Sequence, residues 1–327
     1  MSTDKVSVLV TFYNQEEYAD KAIESIVSQK TDFGVKILVG DDGSTDNTCN
    51  IVNSWIAKYP DMIKLYTMNH DEDDCIPGFR ASRNRINLLH HVDTEYFIFL
   101  DGDDYFDHEL KLQKQVEILD AEDNKDCIAC GHNTTKLYIK SGKTEPATDP
   151  NLKEGKIDPR KYWKKHYIHT DSLLFRSSII SRLDLKLMEN SYNDNMITFS
   201  AIQFGNIYYI PEPWAVYVQT NDGIWTKGNQ LINLIRNMIF YDQSCIINPS
   251  MRKESMCKFS YIWNEIYKMR NTIDPSKLEA YKIEASDKNC KNAYKWIMYP
   301  TLSKMQKQSL CLKTFMIVWS SKIFRRI

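Results

Sequence analysis

The chain has 327 residues, with 42 lysines and arginines against 43 aspartates and glutamates, which is enough to bury a substantial core as one large or two smaller domains. Its formal charge of −1 lacks the broad basic footprint of a nucleic-acid binder, so no nucleic-acid partner is expected. Eight cysteines are scattered through the chain, and the one close pair, Cys127 and Cys130, has no second pair at zinc-ribbon spacing; they read as reduced thiols.

The first residues run directly into a strand-like segment, with no signal peptide and no apolar run of transmembrane length, so a cytoplasmic location is expected. Residues 6–10 read as a buried strand. Asn14, followed three residues later by Glu17, predicts a capping box for a helix whose apolar stripe is Tyr18, Ala22, Ile23, Ile26 and Val27. A second strand at 35–40 leads into Asp41-Asp42-Gly43-Ser44-Thr45-Asp46, and Cys49, Val52, Trp55, Ile56 and Tyr59 mark the helical face behind it. The third strand is 63–67, a helix covers 82–91, and 96–100 is the fourth strand. This alternation predicts an α/β fold with a mainly parallel sheet flanked by helices. In such sheets ligands bind beyond the carboxyl ends of the strands. Thr11, Asn14, Asp41, Asp42 and the Asp101 to Asp104 group all fall at those ends, so they are expected to converge on one crevice.

The loop Asp101-Gly102-Asp103-Asp104 carries three carboxylates that repel one another and resist desolvation, which calls for a divalent cation or a polar ligand. Hard oxygen donors suit Mg²⁺ or Mn²⁺ bound together with substrate phosphates; a solvated acidic turn is the alternative. Residues 11–15 contain no glycine and no Walker A loop occurs, which argues against dinucleotide binding and P-loop hydrolysis.

Val6-Ser7-Val8-Leu9-Val10-Thr11-Phe12-Tyr13-Asn14, Gly40-Asp41-Asp42-Gly43-Ser44-Thr45-Asp46-Asn47-Thr48, Ser82-Arg83-Asn84 and Leu100-Asp101-Gly102-Asp103-Asp104 together resemble family 2 glycosyltransferases of the GT-A fold. The resemblance implies an inverting transferase that uses a nucleotide-activated sugar, usually a UDP-sugar, with Mn²⁺ or Mg²⁺. It assigns Thr11 and Asp42 to the nucleoside, with Tyr13, Asn14 and Gly102 in the same donor-binding motifs, and favours Arg83 over Arg80 as the basic residue near the diphosphate. It makes Asp103 the direct metal ligand, sets Asp101 toward the ribose or the metal, and puts Asp104 behind the loop or against the donor sugar. A carboxylate at 42 can accept a base N–H; alternatively Asp42, Ser44 or Asp46 caps the next helix, and either arginine forms a surface salt bridge.

An inverting displacement needs a base for the acceptor hydroxyl. By resemblance this is Asp194, where the family's Glu-Asp pair reads Asn193-Asp194, with Glu189 the weaker substitute; the alternative is a helix N-terminal residue with no chemistry. His169 lies in a loop entering a strand and reads as a polar wall on the acceptor or donor-sugar side. Residues 217–226 resemble a segment that closes over the diphosphate, with Gly223 as hinge and Trp225 either covering the sugar or buried in the core.

These readings divide the chain into a catalytic domain, 1–226, made of a nucleotide-binding part (1–104) and an acceptor-binding part (105–226), and a helical C-terminal region, 227–327, with helices near 231–246 and 251–269. That region is expected to pack on the catalytic domain, form a homodimer contact or shape the acceptor groove. Residues 312–327 join apolar side chains to a basic end, suiting an interfacial helix on the inner face of the cytoplasmic membrane, or an ordinary docked helix. The expected acceptor is a glycan or lipid-linked glycan of a surface polysaccharide. Two rival functions are a sugar-nucleotide pyrophosphorylase, whose Gly-rich, Arg-containing loop is missing from 11–16, and an inactive glycan-binding module, against which intact Asp42, Asp101, Asp103 and Asp194 argue.

Overall fold

The structure, a computed structural model, describes residues 3–68, 77–165, 167–189, 194–220 and 230–269. Asn193, Gly223, Trp225 and the 312–327 segment lie outside the described residues.

The first half alternates β1 (Asp4–Phe12), α1 (Ala19–Val27), β2 (Gly34–Asp41), α2 (Thr48–Lys58), β3 (Ile63–Thr67), α3 (Pro77–Leu89) and β4 (Tyr96–Asp101). Its four strands are parallel in the order β3-β2-β1-β4. Side chains along β1 and β4 alternate between two cores, as a sheet covered on both faces requires. Val6, Val8, Val10, Ile98 and Leu100 enter one core, and Leu9, Phe97 and Phe99 the other. The rings of Phe97 and Phe99 are fully buried, contributing roughly 2 kcal/mol each by area removed from water.

The second half adds β5 (Tyr105–Phe106), α4 (Lys111–Asp120), β6 (Cys127–Tyr138), β7 (Lys143–Pro146), β8 (Gly155–Ile157), α5 (Pro159–Lys165), β9 (Leu174–Arg176), α6 (Leu185–Met188), α7 (Asn195–Ala201) and β10 (Asn206–Gln219). The sheet continues without a break through β4-β9-β6-β10-β5, with β7 on β6 and β8 on β10. Helices α8 (Gln230–Ile247) and α9 (Arg252–Lys268) follow the two C-terminal helices expected from the sequence. Trp163 of α5 joins them to the sheet domain: its ring meets Phe199, Phe240 and Tyr241, and its Nε1–H donates to Ser255 Oγ of α9 (3.1 Å). Among the described residues no helix is long and apolar enough to cross a membrane, and the described cysteines are unbridged.

Two expectations need correction. The capping box does not form, because Asn14 is turned to the neighbouring loop, its N–H donating to Ser44 Oγ and its Oδ1 accepting the Thr45 N–H, and the helix begins only at Ala19. Asn14 instead adopts left-handed backbone (φ 49°) and is used between loops. Helix α3 starts at Pro77 rather than 82 and ends at Leu89; a proline is tolerated in a first turn because its missing N–H has no partner there anyway. Strand β10 runs on past Pro211 and Pro213 to Gln219, paired with β6 throughout. The ladder absorbs the prolines, which lack donors, by register shifts between Ile210 and Pro213 and between Pro213 and Val216.

Candidate active site

Strand order reverses direction around β1, whose neighbours β2 and β4 precede chain segments that leave in opposite directions, and such a switch point opens a crevice at the carboxyl ends. The register puts Thr11 directly between Gly40 of β2 and Asp101 of β4, and Thr11 Oγ1 lies 3.5 Å from Asp101 Oδ1. Gly102 is required here. A Cβ at that position would come within 2.2 Å of Phe12 Cδ1 and 2.5 Å of Gln15 Oε1. Gly40 is equally confined by Asn84, whose Nδ2 donates to the Gly40 carbonyl (2.9 Å), so Asn84 of the Ser82-Arg83-Asn84 motif holds α3 to β2.

Asp41 and Asp42 are both buried, with different partners. Asp41 accepts the Ser44 N–H (2.9 Å) and shapes the turn. Asp42 Oδ2 faces Arg80 Nε at 3.1 Å, and the Arg80 guanidinium lies 4.9 Å from the ring of Tyr13, which is 40% exposed. The capping alternative belongs to Asp46, whose Oδ1 accepts the Thr48 N–H (3.0 Å). Asn14 and Glu16 connect the loop after β1 to the loop after β2: Asn14 N–H donates to Ser44 Oγ (2.9 Å), Asn14 Oδ1 accepts the Thr45 N–H (2.8 Å), and Glu16 Oε2 accepts the Asn47 N–H (2.8 Å).

The charge of the Asp101 to Asp104 loop is organised by Arg85, to which the sequence reading gave no role. Its Nη2 donates to Asp101 Oδ1 at 2.5 Å. Burial opposes the guanidinium charge, yet Asp101, Asp194 and Asp103 together raise its pKa above the ordinary value. Burial likewise pushes Asp101 up, but Arg85 outweighs it and holds that carboxyl below its usual range. Asp103 has no such cation and is pushed up to about 6, first by burial and then by the charge of Asp101. Asp104 is buried, and its Oδ1 accepts the Val218 N–H (2.8 Å), which ties the loop to β10. Arg83 lies half-buried on α3, and Arg80 and Arg85 on the same helix pair with Asp42 and Asp101.

Across the crevice, a short 3-10 turn (Thr170–Ser172) precedes β9. Thr170 Oγ1 donates to Asp194 Oδ2 at 2.5 Å, and Asp194 Oδ1 accepts the Asn195 N–H (2.9 Å) at the start of α7. Asp194 is therefore both a helix N-terminal residue and a neighbour of the loop carboxylates, since its field reaches Arg85 and His169. His169 is buried and stacks on Tyr217, with ring centroids 4.1 Å apart. Its Nδ1 is 2.7 Å from Asp171 Oδ1. Burial disfavours the imidazolium, but Asp171, then Asp194 and Asp101, bring the pKa up to about 9. Asp104, His169 and Asp171 offer ligand atoms within 4.8 Å of one another.

The signal for Arg85 was present in the text. Ser82, Ile86 and Leu89 form the buried face of α3, and Arg85, three residues after Ser82, shares that stripe; a cation on the covered face of a helix needs an anion. Asp171 and Thr170 gave no comparable signal, because a 3-10 turn has no long periodicity. A cavity of about 520 Å³ lined by His108, Lys114, Glu117, Glu212 and Trp214 shares no residue with this crevice.

Residues 7–184 match the family model described as Glycosyl transferase family 2. An uncharacterized protein of Mycobacterium tuberculosis is 28% identical over 229 residues, 67% of this chain and 60% of the relative, so the chain spans about 60% of the length of the first curated relatives it matches. A teichoic acid poly(glycerol phosphate) polymerase of Staphylococcus epidermidis is 35% identical over 102 residues, 31% of this chain and 13% of the polymerase. Among solved structures, S. aureus TarS 1–349 in complex with UDP-GlcNAc superposes with a TM-score of 0.61 at 14% identity, covering 98% of this chain and 91% of that one. The mannosyltransferase PcManGT of Pyrobaculum calidifontis, in complex with GDP-Man and Mn²⁺, gives 0.54 at 15% identity, covering 98% and 86%. These likenesses establish a GT-A type fold, and the match of the family model over more than half of the chain makes this protein a member of glycosyl transferase family 2.

Proposed function

We propose that this protein transfers a sugar, with inversion, from a nucleotide-activated donor to a hydroxyl of a glycan or lipid-linked glycan in the synthesis of a surface polysaccharide. The observation that supports this reading is Arg85, which is bonded to Asp101 and whose charge is favoured also by Asp194 and Asp103, as expected if these carboxylates share one crevice.

Thr11 and Asp42 bind the nucleoside, with the exposed Tyr13 ring beside Arg80 as a surface for the base. Asp42 accepts a base N–H; uracil and guanine both offer one, and a UDP-sugar is favoured by the UDP-GlcNAc held in TarS. Arg80 and Arg83 lie on α3 beside this site and bind the diphosphate. The donor set fits a hard divalent cation: Asp103 and Asp101 are neighbouring oxygen ligands, and burial first, then the charge of Asp101, raises the Asp103 pKa, both costs that Mn²⁺ or Mg²⁺ relieves. Asp103 and Asp101 would hold that ion, which would neutralise charge developing on the departing nucleoside diphosphate.

Asp194 takes the proton of the acceptor hydroxyl as its oxygen bonds to the anomeric carbon and the carbon–phosphate oxygen bond breaks, the electron pair leaving with the diphosphate. Thr170 and the Asn195 N–H fix the two oxygens of Asp194, so the base keeps its orientation. Segment 312–327 remains the proposed peripheral membrane contact; equal liposome flotation by a chain ending near Lys307 would remove it.

The test is a panel of UDP- and GDP-sugars with Mn²⁺, read as nucleoside diphosphate release with lipid-linked acceptors, in the wild type and in Asp194→Asn. The variant is expected to keep donor affinity and lose transfer by about 100- to 10,000-fold. Full transfer by Asp194→Asn refutes the base assignment, and absence of metal-dependent nucleotide binding refutes the transferase reading.

A further inference from the structure

The geometry points to a second cation site, closed within the protein and built from Asp104, His169 and Asp171, separate from the Asp101 and Asp103 pair of the catalytic loop. Each of the three residues is at most 4% exposed. Each carboxylate uses only one oxygen within the protein: Asp104 Oδ1 takes the Val218 N–H (2.8 Å), and Asp171 Oδ1 takes the Thr134 hydroxyl (3.3 Å). The other oxygens, Asp104 Oδ2 and Asp171 Oδ2, are buried with no hydrogen-bond partner. His169 Nδ1 is 2.7 Å from Asp171 Oδ1, yet it too lacks the alignment of a hydrogen bond. The three ligand atoms lie within 4.8 Å of one another; metal–ligand bonds near 2.1 Å separate adjacent donors by about 3 Å and opposite ones by about 4 Å, so the set closes on one divalent ion with small side-chain shifts.

Unpartnered carboxylate oxygens in a dry interior are costly; without an ion, burial and Asp103 push the Asp104 carboxyl up toward its neutral form and, against burial, Asp171 holds a proton on His169, while the other nearby cations have partners besides these carboxylates. The Lys111 ammonium donates to Gln115 Oε1 (3.0 Å) and lies 4.0 Å from the centroid of the Phe106 ring. Arg85 serves Asp101. Binding releases the proton that Asp171 otherwise holds on His169; two carboxylates and the resulting neutral imidazole then balance a dication in charge, and the imidazole favours Mn²⁺ over Mg²⁺. Because the three side chains are covered, this ion does not meet the diphosphate. It ties the end of the catalytic loop, at Asp104, to the turn whose Thr170 holds Asp194, and its role is to position both.

The experiment needs no nucleotide, so it is independent of the donor reading. Nucleotide-free Asp103→Asn protein, in which the catalytic-loop ligand is removed, is titrated with Mn²⁺ and followed by electron paramagnetic resonance with echo modulation. One bound ion per chain is expected, showing nitrogen-14 coupling from an imidazole, together with a rise in Tm. His169→Gln abolishes the nitrogen coupling, and Asp171→Asn weakens binding by about 100-fold. No bound Mn²⁺ in the Asp103→Asn protein, bound Mn²⁺ without nitrogen coupling, or undiminished binding by Asp171→Asn overturns the proposal. Should Asp171→Asn fail to fold, the nitrogen signal of the Asp103→Asn protein decides by itself.

Discussion

Replacing Arg85 by Met keeps the length of the stem and its packing on α3 but removes the cation between the loop carboxylates and Asp194. A charge-assisted hydrogen bond contributes about 1.5–3 kcal/mol. Asp101 is 32% exposed at its side chain against 11% for Arg85, so water recovers part of that and the expected loss is about 2 kcal/mol. In a domain of this size that corresponds to a fall in Tm of about 4–8 °C, measured by differential scanning fluorimetry in metal-free buffer. With Arg85 gone, Asp101 and Asp103 repel without compensation, so Mn²⁺ raises the Tm of the variant by more than it raises that of the wild type. Arg85→Lys, which keeps the charge without the planar fork, falls between the two. A variant that melts with the wild type, or that gains no more from Mn²⁺, refutes the organising role of Arg85.

Asp103→Asn is expected to lower transfer by about 100- to 1,000-fold while leaving metal-free stability unchanged or higher, since the substitution relieves a buried like-charge contact; circular-dichroism melts and diphosphate release measure the two. The folded pKa of Asp103, about 6, is above its unfolded value, so its protonation favours folding of the metal-free protein at acid pH and that contribution is lost as pH rises through about 6. Mn²⁺ binding has the opposite slope, weakening as pH falls through the same range, which calorimetry at several pH values checks. Gly102→Ala should cost about 1–3 kcal/mol, because its Cβ meets the buried Phe12 ring at 2.2 Å; urea unfolding at the wild-type midpoint would contradict this.

The nucleotide half was readable because its strands are long, apolar and bounded by motif loops, and β1 to β4 form where the apolar runs predict them. Thr11 and Asp101 meet, and Asp42 follows at the end of the neighbouring strand, because parallel strands in register bring their carboxyl ends level. The second half was harder. Strand β10 has no clean signal, because its two prolines interrupt the apolar run while the ladder bulges around both. The contacts of Asp104 and Thr170 depend on partners 114 and 24 residues away, and no local pattern announces such pairings. Arg85 was overlooked for the opposite reason: Arg80 and Arg83 are more prominent in the text, and only the covered stripe of α3 distinguishes Arg85.

The cross-bonding of Asn14 and Glu16 to Ser44, Thr45 and Asn47 has an evolutionary consequence. Neither turn can be transplanted alone into a related transferase, because each supplies the other's missing donors and acceptors. Exchange of base preference between homologues should therefore proceed by inheriting both turns as one block, and chimeras split between Asn14 and Ser44 should fold poorly, whatever nucleotide the parents used.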